Sequence, residues 1–169
     1  AGTIADAGVT SVIKTGTGML VLSGANTYSG ATTVSGGILK VINTTGSGTG
    51  YGSVTVANGG ARAGNVCIGG AVTVNSGGAL IPGNPLGTLL LSNDLTLASG
   101  STTFVQVQHS PLANDSVKVL GKLTEGGTLN VTNSGAAALA NGDTFDLFNA
   151  GNYSGSFTNL LLPPLSGTL

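Results

Sequence analysis

The sequence predicts an all-β protein wound as a β-solenoid. Three observations lead there: apolar residues recur two apart in short runs, those runs end at glycine, and one run repeats at a period near 20 residues. The chain has 169 residues, of which 30 are Gly, four are Phe, three are Tyr and none is Trp. It reads as one domain, 1–169, whose core must be made from small aliphatic pieces. A hydrophobic content of 40% and a mean hydropathy of +0.38 exclude disorder, which needs low hydrophobicity and high net charge.

Taken in order, Met19-Leu-Val-Leu, Ser53-Val-Thr-Val, Ala71-Val-Thr-Val, Asp94-Leu-Thr-Leu and Ser116-Val-Lys-Val place apolar side chains on one strand face and Thr, Ser or Lys on the other. Each run meets Gly, Ser or Asn within a few residues, so each is a short strand ended by a turn. No window carries apolar residues at i, i+3, i+4 and i+7, and glycine is too frequent for helix interiors. The Ala-rich stretch Gly135 to Ala140 is too short to hold a helix alone.

Three of these runs are copies of one unit: Ala31-Thr-Thr-Val-Ser-Gly-Gly-Ile-Leu, Ser53-Val-Thr-Val-Ala-Asn-Gly-Gly-Ala-Arg and Ala71-Val-Thr-Val-Asn-Ser-Gly-Gly-Ala-Leu. A fourth begins at Asp94 and diverges after Gly100. With Val34, Val56, Val74 and Leu97 equivalent, the steps are 22, 18 and 23 residues. A propeller blade needs about twice that period, whereas a solenoid absorbs small insertions at its corners. Stacked coils about 4.8 Å apart turn equivalent residues into columns, with Val and Leu inward and Gly36-Gly37, Gly59-Gly60 and Gly77-Gly78 at the bends. The length then predicts about eight coils.

The segment Lys14 to Val41, with Lys14-Thr-Gly-Thr-Gly-Met-Leu-Val-Leu-Ser-Gly-Ala-Asn-Thr-Tyr-Ser-Gly-Ala-Thr-Thr-Val followed by Gly36-Gly-Ile-Leu-Lys-Val, resembles the autotransporter-associated β-strand repeat of bacterial autotransporter passengers and related surface proteins. Gly69 to Leu89 resembles the passage that follows such repeats, and 142–169, with Gly142-Asp-Thr-Phe-Asp-Leu-Phe-Asn-Ala and Tyr153-Ser-Gly-Ser-Phe, resembles the closing part of such passengers. The resemblance implies a right-handed parallel β-helix, exported and exposed at the cell surface or in the extracellular medium. Members of that group act as adhesins, carriers of enzyme domains or surface fibres. Two departures stand out. Arg62 sits where the other copies have Leu39 and Leu80, which suggests a coil that opens toward solvent or an extra strand, and the 169 residues up to Leu169 include no β-barrel translocator. The start at Ala1, without Met or a leader, fits a processed or excised segment.

The chemistry-bearing residues are few. Five basic residues, at Lys14, Lys40, Arg62, Lys118 and Lys122, are scattered and the net charge is −1, so nucleic acid is not an expected partner. No apolar run is long enough for a transmembrane helix. Cys67 stands alone, which excludes an internal disulfide framework and reads as an inert, buried thiol. Among six carboxylates only Asp143 and Asp146 are close in sequence, and their turn context makes them solvated turn acids rather than a glycosidase pair. His109, the sole histidine, reads as a strand-end or loop residue, since no metal-ligand or triad spacing surrounds it. Gly59-Gly-Ala-Arg and Gly69-Gly-Ala-Val lack the Asp of calcium-binding nonapeptides. Thr33, Thr55, Thr73 and Thr96 should form an outward ladder that stabilises neighbouring strands.

No catalytic, cofactor-binding or metal-binding residue is therefore assigned, and no cofactor is expected. The expected function is a structural, non-enzymatic solenoid scaffold of an exported bacterial surface protein, self-assembling end to end into a filament as a homo-oligomer. The alternative is an adhesin or carbohydrate-binding module whose partner is a host or matrix glycan or protein. Tyr28 and Tyr51 are the exposed rings on which that alternative leans.

Overall fold

The computed structural model describes residues 2–6, 10–83 and 86–165, which form seventeen strands and no helix. The first coil carries β1 (Val12–Lys14) and β2 (Met19–Leu22), and the second β3 (Thr32–Val34) and β4 (Gly37–Val41). The third carries β5 (Val54–Val56), β6 (Gly60–Ala63) and β7 (Cys67–Ile68); the fourth β8 (Val72–Val74), β9 (Ala79–Ile81) and β10 (Thr88–Leu91). Then come β11 (Leu95–Leu97), β12 (Thr102–Gln108), β13 (Ala113–Asn114), β14 (Ser116–Glu125), β15 (Thr128–Asn133), β16 (Phe148–Gly155) and β17 (Asn159–Leu161).

These strands stack in parallel on the faces of a β-helix. The first face runs β1-β3-β5-β8-β11 and ends on the C-terminal halves of β14 and β16. The second runs β2-β4-β6-β9-β12-β15-β17. A third face begins only at β7 and continues through β10 to the N-terminal halves of β14 and β16. The first two faces carry seven strands each among the described residues, against the roughly eight coils that the length suggests. Later coils are simply longer: Thr124 lies 28 residues beyond its neighbour Thr96, and Ser154 a further 30, because the third face has become full strand and longer connections precede β14 and β16.

Period-two alternation explains what fills the tube. Val34, Val56, Val74 and Leu97 form one inward column, and Val54, Val72, Leu95 and Leu123 a second, all sealed from solvent. Each buried aliphatic side chain contributes about 1.5–3 kcal/mol, so a narrow tube of Val and Leu suffices without tryptophan. Between the two columns the threonines point outward as Thr33, Thr55, Thr73 and Thr96, and the register extends the ladder to Thr124 and Ser154. The bend between the first and second faces uses glycine in the left-handed region. Gly77 (φ 74°) donates its N–H to the carbonyl of Gly100 (φ 81°) one coil on, at 2.9 Å.

Two expectations are corrected. Arg62 opens no coil: it stays in register between Leu39 and Leu80 and is 0% exposed, and its coil is the first to carry a third strand, β7. Gly60, two residues back on the same strand face, brings no side chain beside it, and the Arg62 Nη1 donates to the Gly64 carbonyl at 2.6 Å. Tyr28 is not a surface ring either; it is 0% exposed, and its hydroxyl pairs with Thr32 Oγ1 at 2.6 Å.

Candidate functional site

The polar groups of the C-terminal third converge on one region. There β12 runs on to His109, turns back through 110–112 and pairs with β13, the one antiparallel pairing among the described strands. Asp115, which follows β13, is fully buried and accepts N–H bonds from Gln106 at 2.9 Å and Gly87 at 3.1 Å. Burial holds its carboxyl above the usual carboxylate range, against the opposing pull of those two donors. Asn114 Nδ2 donates to the Asp146 carbonyl at 2.9 Å, and Gln108 Nε2 to that of Pro111 at 3.0 Å. The hairpin is thus pinned at its base and braced across its tip.

His109 was legible as a strand-end residue, and that is its place. Its partner was not legible. The imidazole Nδ1 lies 2.8 Å from Asp143 Oδ2 and 3.0 Å from Oδ1, 34 residues away. Asp143 also accepts the Ala140 N–H at 2.8 Å, and this bond, with His109, holds its carboxyl below the usual range. Asp146 offers its backbone carbonyl to Asn114, while the Asp143 carboxylate is taken up by His109 and Ala140. Beside them lies an apolar groove of about 310 Å³, lined by Val107, Val131, Leu139, Phe145 and Leu162 with Asp143 at its edge. The hydrogen bonds of His109 among the described residues go to Asp143 alone, so the pair ties the hairpin to the 139–146 connection without engaging a serine nucleophile.

Elsewhere the outer surface is plain. Cys67, half-buried and free, faces a shallow groove of about 570 Å³ formed where the third face begins, with Asn43, Thr45, Asn65 and Thr88 around it. Tyr51 is 66% exposed. No group of three metal-ligating side chains exists among the described residues, and no helix among them is long and apolar enough to cross a membrane.

A parallel tube with an aliphatic interior, an outward threonine ladder and one braced hairpin defines a repeat protein of the parallel β-helix class. Residues 12–41 match the family described as passenger-associated-transport-repeat. Over 164 residues the chain is 39% identical to the "Adhesin BmaC autotransporter" of Brucella suis biovar 1 (strain 1330), covering 92% of this chain and 4% of that protein. Over 119 residues it is 33% identical to the "Extracellular serine protease" of Serratia marcescens, covering 70% of this chain and 11% of that protein. The chain therefore carries a passenger-associated transport repeat and is an autotransporter passenger repeat region of an exported surface protein. It spans only a small part of the length of either relative.

Proposed function

We propose that the chain serves as a non-catalytic solenoid scaffold and that copies associate end to end into a filament. The observation that supports this reading is the unbroken register of the first face from β1 to β16, which stacks its strands into one continuous ladder. Among the described residues β1 and β2 pair on one side only at one end, and β16 and β17 on one side only at the other. Unpaired parallel edges of this kind accept another strand. Negative-stain microscopy across a concentration series tests the reading: rods that lengthen with concentration support it, and monodisperse short rods at every concentration overturn the filament.

A second reading is adhesive. One relative is named an adhesin, and Tyr51 offers a solvent-exposed ring of the kind that stacks on sugars. Saturable binding on a glycan array, lost in Tyr51→Ala, supports it.

A further inference from the structure

The buried arginine lies at a boundary that the rest of the tube does not share. Arg62 interrupts an inward column that reads Leu20, Leu39, Arg62 and Leu80 down the second face. Its Nη1 reaches the Gly64 carbonyl, but Nε and Nη2 have no partner, and the one ion pair among the described residues, His109–Asp143, lies elsewhere. Asn43 Oδ1 and Thr49 Oγ1 are also buried without partners, in the connection just before the third coil. Four of the six such atoms in the described chain therefore fall between residues 43 and 62.

The ladders change at the same place. From β7 onward, coils are joined on three faces, through β7-β10-β14 as well as the two long stacks. Between Val41 and Val54 there is no strand, so the second coil meets the third through β3-β5 and β4-β6 and, on the remaining side, single bonds such as Gly48 N–H to the Cys67 carbonyl at 3.3 Å and Gly69 N–H to Ser47 Oγ at 3.0 Å.

We infer that the solenoid is divided between its second and third coils, and that the N-terminal coils open there as a unit while the coils from β8 onward stay folded. A solenoid's stability is a sum of coil terms and nearest-neighbour interfaces, so an interface that has two ladders rather than three and the most unpaired polar atoms separates before those that follow it. Opening at this interface also uncovers the side of Arg62 that packs on Leu39 and returns the guanidinium to water. Burial alone lowers the Arg62 guanidinium to about 9, consistent with a charge held without compensation.

Native-state hydrogen exchange by mass spectrometry on the whole chain reads this directly. The amides of β3 and β4 should exchange together through a partial opening, well before those of β8, β9, β11 and β12. Arg62→Leu, with Arg62→Met as a second apolar replacement, should slow that opening by about tenfold to a hundredfold and bring the two groups closer together. One common exchange rate for both groups in the unaltered chain overturns the inference, whatever the variants do. So does an anomalous peak against Arg62 in crystals grown with bromide, because an anion there would compensate the charge.

Discussion

Asp143 grips His109 across 34 residues, with Nδ1 2.8 Å from Oδ2, and so fastens a hairpin of the fifth coil to the connection that leads into β16. The clip has an acid limit. The Ala140 N–H and His109 both favour the ionised carboxylate, so the folded-state value lies below the ordinary 3.8. A depressed acid contributes stability that is present above the unfolded value and lost as pH falls through the folded one. Asp143→Asn should lessen the loss of stability below about pH 4, seen as a flatter acid limb when thermal midpoints are compared from pH 3 to 7.

Asp115 should behave in the opposite sense. Its carboxyl is raised above 3.8 by burial, so its contribution is fully present below the unfolded value and is lost as pH rises through the folded one. Asp115→Asn keeps an acceptor for Gln106 or Gly87 and removes the buried charge. The variant should therefore gain on the unaltered chain as pH rises from 4 to 7, and an unchanged difference between the two across that range would contradict this.

Tyr28 is a core residue with a satisfied hydroxyl. Tyr28→Phe leaves Thr32 Oγ1 without its 2.6 Å partner and should cost about 1–2 kcal/mol in urea denaturation. Tyr28→Ala removes a fully buried ring and should cost about 3–5 kcal/mol. Neither change should alter binding to a glycan unless the fold is lost.

Leu95 lies at the middle of the first-face stack, between Val72 and Leu123. Truncation to Ala opens a cavity in a tube with no spare side chains to collapse into it, at a cost of about 2–5 kcal/mol. Outward Thr73→Ala, on the neighbouring strand, should cost less than about 1 kcal/mol, because it alters only cross-strand contacts on the solvent side. Equal losses from the two substitutions would show that the stack is not organised around its inward columns.

Gly77 sits at φ 74°, where a Cβ would also run into Asn58 Oδ1. Gly77→Ala should lower the urea midpoint by the equivalent of about 1–2 kcal/mol, with little change in slope.

Much of the tube was legible because its causes are local and repeated. Val54-Thr-Val and Val72-Thr-Val alternate with period two, their glycines recur at fixed distance, and register then brings Thr55 to Thr73 and Val56 to Val74. Arg62 was misread for an equally physical reason. A charged residue at an inward position signals an opening only if it has no way to lie along the interior, and the absence of a side chain at Gly60 becomes meaningful only when the strand faces are known. Tyr28 was misread because its segment carries no alternating run, so nothing local said which way the ring points.

The sequence by itself determined the all-β class, the spacing of the coils up to β11, the inward and outward columns and the passenger resemblance, since each follows from spacing along one chain. Tertiary structure alone decided which distant groups meet: His109 with Asp143, Asp115 with Gly87, and Arg62 with Leu39 and Leu80 inside a column of leucines. Alternation assigns a residue to a face, but hydrogen bonds depend on how coils of unequal length stack, and here insertions of several residues moved the partners out of any fixed spacing.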